Sequence, residues 1–140
     1  MNETLQVVNA IITDEAGRSL LLHRNTPSLK HWEFPGGPID AGESGRDALH
    51  RQTFETTGLN IEVVDYLDRT KFLEEGRQLE CAWYSGRVLM RGRPKIKKPE
   101  IHDSFMYVDI SRPRLAAYYQ LSLSVEGFVR WQRSRLSPDV

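Results

Sequence analysis

The chain has 140 residues, with 19 Lys plus Arg against 19 Asp plus Glu and a formal charge of zero. That length predicts one domain over residues 1–140, large enough to fold without disulfide or metal staples; at 39% hydrophobic and 27% charged residues, composition excludes disorder, collagen-like repeats and coiled coil. The single Cys81 allows no intrachain disulfide, no apolar run approaches the roughly 20 residues of a membrane helix, and balanced charge gives no global pull toward nucleic acid or membranes, so a cytoplasmic protein is expected.

In chain order, Leu5 to Ile12 is almost wholly apolar and β-branched, which predicts a strand buried on both faces. Asp14 to Gly17 reads as a turn and Ser19 to His23 as a second strand, the two forming a hairpin. Arg24 to Lys30, with Asn25, Pro27 and Ser28, reads as loop before a short strand at Trp32-Glu33-Phe34 that ends at Pro35-Gly36-Gly37. Ser44-Gly45-Arg46-Asp47 has the form of a capping box, and a helix is predicted through Thr57 with Gly58 at its end. Asn60 to Leu73 and Gln78 to Met90 read as a long hairpin turning at Glu74-Glu75-Gly76, with Leu79, Cys81 and Trp83 alternating inward. Phe105 to Ile110 is a further strand, and Phe105 and Tyr107 are assigned with Trp83 to the core. Ser111 with Pro113 opens a short helix through Tyr119. Ser122 or Ser124 caps a last helix whose Val125, Phe128, Val129 and Leu136 recur at helical spacing. The expected class is α/β, a mixed α+β sheet.

The stretch from Trp32 to Leu59 carries the chemistry. Gly37 is followed after five residues by Glu43 and after seven more by Arg51, with Glu55, Gly58 and Leu59 in register. Together with the lead-in Trp32-Glu33-Phe34-Pro35-Gly36-Gly37, this resembles the signature of the Nudix hydrolase family, especially its MutT-like branch. The resemblance implies a Nudix-type α/β/α sandwich. It also implies a pyrophosphohydrolase that cleaves a nucleoside diphosphate-linked or nucleoside triphosphate substrate by metal-assisted attack of water.

In the family, carboxylates following the arginine hold Mg²⁺ or Mn²⁺, because such ions want hard oxygen ligands and helix positions i, i+3 and i+4 share one face. Here that segment is Arg51-Gln52-Thr53-Phe54-Glu55-Thr56, so Gln52 and Thr56 replace two acids. The resemblance places Glu43, Arg51, Gln52 and Glu55 in the catalytic box, Glu43 and Arg51 as its brace. Arg24, Phe34, Gly36 and Gly37 are expected at the substrate. Gly37, Glu55 and Asp103 are expected at the metal, with Glu100 beside Asp103, while Glu33, Asp40 and Asp47 read as solvated charges. The depleted acids leave open a non-catalytic nucleotide-binding or regulatory module on the same fold. Arg91, Arg93, Lys95, Lys97 and Lys98 read as a solvated basic edge, or as a surface attracting polyphosphate or an acidic partner. A homodimer is common in this family and expected here as an option.

Overall fold

The computed structural model describes residues 4–136. Two sheets form the centre. The first runs in the order β4 (Gly36–Pro38), β1 (Leu5–Ile12), β6 (Arg77–Val88), β5 (Ile61–Glu74), and the second in the order β3 (Leu29–Glu33), β2 (Ser19–Thr26), β7 (His102–Val108). Among the described residues, three helices complete the fold: α1 (Gly45–Thr57), α2 (Leu115–Tyr118) and α3 (Leu123–Leu136).

β1 is the hinge of this arrangement. It pairs antiparallel with β4 on one edge and parallel with β6 on the other. Its apolar run also serves two cores, as a strand buried on both faces must. Val8, Ala10 and Ile12 pack with Leu20, Ala48, Leu49, Leu59 and Ile61 toward α1. Ile11 packs on the other side with Cys81, Trp83, Val125 and Phe128 toward α3. The result is the helix-sheet-helix sandwich that the sequence predicts.

The expected hairpin between the first two strands is not formed. Both edges of β1 are occupied, so β2 crosses to the other sheet, and the two are paired only through the Thr13–Ser19 bridge just beyond β1. The loop expected over Arg24 to Lys30 is mostly strand. β2 continues to Thr26 and pairs Thr26 with Leu29, because Pro27 and Ser28 suffice for the turn. Gly36 to Pro38, expected to end a strand, instead forms β4 through its pairing with β1.

The helix ends follow local chemistry. Ser44 Oγ accepts from the Asp47 amide at 3.1 Å, and Gly58 at φ 74° returns its N–H to the Phe54 carbonyl, a conformation that costs any side chain. The basic segment 91–98 crosses this C-terminus. The Lys95 amide donates to the Thr57 carbonyl at 2.9 Å, and positive charge there offsets the helix dipole. Ser122, not Ser124, caps α3 by accepting from the Val125 amide. Ser111 does not cap α2: its Oγ donates to Asp109 in a turn, and α2 begins after Arg114 with no side-chain cap. Phe105, assigned to the core, is 41% exposed. The side chain of Leu136 lies outside the described residues. Among the described residues, no helix is long and apolar enough to cross a membrane.

Trp83 anchors the α3 side. It is 2% exposed, packs edge-on to Phe128 with centroids 5.4 Å apart, and donates its indole N–H to Ser124 Oγ at 2.9 Å. Cys81 lies beside it, fully buried, with its thiol pushed up to about 12 by burial. Trp83→Ala is expected to lower unfolding free energy by about 3–5 kcal/mol in urea titration, since it removes a large buried side chain and strands a hydroxyl partner.

Candidate active site

A cavity of about 190 Å³ opens between the two sheets, lined by Asn9 of β1, Arg24 of β2, His31 and Glu33 of β3, Glu74 of β5 and the Gly36-Gly37-Pro38 segment. It joins two polar constellations of different kinds.

The first is centred on Glu33, whose side chain is 18% exposed. On one carboxylate oxygen it accepts the His31 Nε2–H at 2.7 Å and the Arg24 Nε–H at 2.9 Å. On the other it accepts the His102 Nε2–H, also at 2.7 Å. A carboxylate only accepts, so each imidazole must present its Nε2 proton here. Burial pushes the Glu33 carboxyl up, but hydrogen bonds from His102, His31 and Arg24 outweigh it and hold the group far below the usual carboxylate range. Glu33 was expected to be a solvated charge and is the most heavily bonded acid of the cavity. Three strands supply its partners, so only the same-face spacing of His31 and Glu33 on a strand was readable in advance.

Arg24, expected at the substrate, reaches the cavity but turns its Nε to Glu33. Phe34 lines the same cavity from the core, 2% exposed and edge-on to Phe128 at 5.6 Å. Gly36 and Gly37 sit on β4 against β1.

The second constellation is the box. Arg51 donates from Nε and Nη2 to the two oxygens of Glu43 at 2.8 and 2.9 Å, a bidentate pair that joins the loop to α1. It also donates to the Pro38 carbonyl at 3.1 Å and to Glu55 at 3.4 Å. The Arg51 hydrogen bond, helped by the Asp40 amide, holds the Glu43 carboxyl at about 2. Gln52 lies alongside and donates its Nε2–H to the same Pro38 carbonyl at 2.8 Å. Its amide fills the space over Gly37, where an added Cβ would stand 2.6 Å from Gln52 Cδ. That close approach packs the Gln52 amide on the bare backbone of Gly37.

These residues are a poor set for a divalent cation, which wants hard oxygens, one or two of them carboxylate, free to converge. Gln52 brings no charge and points an N–H at the loop carbonyl. Thr56 is buried and donates to the Gln52 carbonyl at 2.8 Å, and Thr53 faces the core. Both oxygens of Glu43 are taken by Arg51. Asp103, expected as a ligand, bonds instead to His23, Asn25 and Ser104 on the second sheet. Among the described residues, no three His, Cys, Asp or Glu side chains are grouped to hold a metal. Of the residues expected at the metal, Gly37 lies on β4, Glu55 on α1 and Asp103 on β7 of the second sheet.

The two depressed carboxyls give acid sensitivity a definite sign. Glu33 and Glu43 bind their protons more weakly when folded than at the ordinary value of 4.5. Their stabilisation is therefore present above that value and lost as pH falls through the folded one, down to about 2 for Glu43. Glu33→Gln is expected to cost on the order of 3 kcal/mol at pH 7, the scale of a broken buried pair, and to flatten the pH dependence of unfolding free energy below pH 5. A variant with the wild-type acid slope would remove Glu33 from this role.

The NUDIX domain model matches residues 4–121. An RNA pyrophosphohydrolase from Dinoroseobacter shibae is 36% identical over 63 residues, which are 45% of this chain and 39% of that protein, so the match spans about two-fifths of the relative's length. The fold is similar to that of a MutT protein from Methanosarcina mazei Go1, with a TM-score of 0.82, 22% identity and coverage of 97% of this chain and 98% of that one. It is also similar to a MutT NUDIX hydrolase from Burkholderia pseudomallei, with a TM-score of 0.78, 21% identity and coverage of 92% and 98%. By its matched domain and its kept Gly37, Glu43, Arg51, Glu55 and Gly58, the chain belongs to the Nudix hydrolase family.

Proposed function

We propose that this Nudix domain recognises a nucleoside diphosphate derivative, nucleoside triphosphates included, and holds it without rapid turnover. The observation that carries this is the shared wall: Gly36, Gly37 and Pro38 border both the cavity and the box. A ligand whose base or sugar enters the cavity therefore brings its diphosphate to the box. Apolar Leu5, Val7, Phe34, Phe72 and Leu79 offer contact area, while Asn9, Arg24, His31, Glu33 and Glu74 offer polar contacts that fix orientation.

Cleavage of a diphosphate needs neutralisation of developing charge and an activated water, beyond positioning alone. The box supplies one arginine already engaged with Glu43, and its one half-exposed acid, Glu55, leans on the same guanidinium. Positioning is kept and charge neutralisation is weakened, which supports recognition over catalysis. The second reading is hydrolysis, the reaction named for the Dinoroseobacter shibae relative, and it is favoured by one feature, the Glu55 carboxylate 37% exposed on the box helix.

A panel of nucleoside triphosphates, nucleoside diphosphate sugars and dinucleoside polyphosphates separates the two. At a ligand concentration about 100 times Kd, binding is expected to add about 2.7 kcal/mol to stability, read as a rise in Tm. Chromatography of the same mixtures, with Mg²⁺ or Mn²⁺ present, is expected to show ligand intact over the time a typical enzyme at about 10 turnovers per second would consume it. Rapid product release establishes hydrolysis instead, and a Tm unmoved by every diphosphate rejects recognition.

A further inference from the structure

We propose that Gln52 takes the structural place of a divalent cation, so that the box of this chain is closed by protein hydrogen bonds and works metal-free. Three observations converge on the point where α1 faces β4. The Pro38 carbonyl receives two N–H groups, from Gln52 Nε2 at 2.8 Å and from Arg51 Nη2 at 3.1 Å. A carbonyl oxygen has two lone pairs, so both are now filled. The Gln52 amide packs directly over Gly37, where any added side-chain atom would collide with it at 2.6 to 2.8 Å. Thr56 is withdrawn into its own helix, its hydroxyl on the Gln52 carbonyl.

The chemistry of the amide explains why the replacement holds. Two oxygens, a carboxylate and a carbonyl, repel each other unless a cation or a proton lies between them. A glutamine supplies the proton itself, on nitrogen, and joins loop to helix with no ion. The orientation of the amide is forced, since only its NH₂ end can face a carbonyl. Arg51 adds the positive charge and ties the same carbonyl to Glu43. Gln52 is thus a positioning residue for the loop and lies outside any metal-ligand set.

The test uses the full chain with Mn²⁺ alone as probe. Wild type is expected to show no saturable Mn²⁺ binding by electron paramagnetic resonance at millimolar ion, and the same Tm in EDTA as in Mn²⁺. Gln52→Glu places a carboxylate against the Pro38 carbonyl and is expected to lower Tm in EDTA by about 3 °C, with the deficit restored by Mn²⁺. Gln52→Met, which removes the donor at similar length, is expected to lower Tm equally and to be insensitive to Mn²⁺; it keeps the comparison decisive should the glutamate variant fold poorly. Gln52→Glu combined with Thr56→Glu is expected to gain saturable Mn²⁺ binding. Saturable binding by wild type that Glu55→Gln abolishes overturns the proposal. So does a Gln52→Met variant as stable as wild type. The metal-free working of the box rests on the nucleotide recognition proposed above, and a nucleotide-induced Tm rise that vanishes in EDTA overturns it. A nucleotide that never shifts Tm counts against recognition, while the Mn²⁺ measurements decide the role of Gln52 on their own.

Discussion

The guanidinium of Arg51 is the constraint on which the site depends. One planar group with fixed donor directions must satisfy Glu43, the Pro38 carbonyl and Glu55 at once. Those partners come from the loop after β4, from β4 itself and from α1, so their mutual placement is tied by a single planar guanidinium. Lysine, a point charge on a flexible stem, could neutralise Glu43 but could not fix all three. Because β4 is also an edge of the first sheet, the same group transmits the position of β1 to the box helix. The cavity wall inherits that alignment.

A carboxylate-poor box inside an intact frame makes sense in these terms. The frame is held by an ion pair and by amide hydrogen bonds, neither of which needs the two missing acids. Thr56, at a position where the family has an acid, turns toward the interior, where a longer charged side chain would have to be desolvated. Helix α1 carries Arg51, Glu55 and Gly58 in the family spacing while Thr53, Thr56 and Thr57 are buried on its inner face. Belonging to the family and turning over a substrate are separate matters, because function lives in a site grafted on a fold.

Much of this was readable from the chain. Helix α1 was legible because its signals are local: a Ser44 cap, an acid three residues on, and a glycine where the left-handed turn must fall. The Leu79, Cys81, Trp83 alternation was legible because the period of a strand is a local property. The pairing of β1 was not, since nothing between residues 5 and 23 says that a strand some seventy residues later will occupy its edge. Glu33 was missed for the same reason: its partners at positions 24, 31 and 102 meet only after three strands align. Gln52 and Thr56 were visible as departures from a pattern, but what each side chain does in place of a carboxylate depends on the close approach of β4.

The burial of Cys81 has a practical meaning. A thiol pushed up to about 12, on β6 against Ser124 of α3, presents almost no thiolate at neutral pH. Reagents reach it only when that part of the core opens. The lone cysteine is thus a built-in clock for the α3 side of the sandwich, and its labelling rate in strong reagent reports how often that side parts from the sheet. The α1 side, which holds the box, contributes no thiol and would stay silent. Comparing that rate with global unfolding would show whether the two halves divided by β1 open together or one at a time.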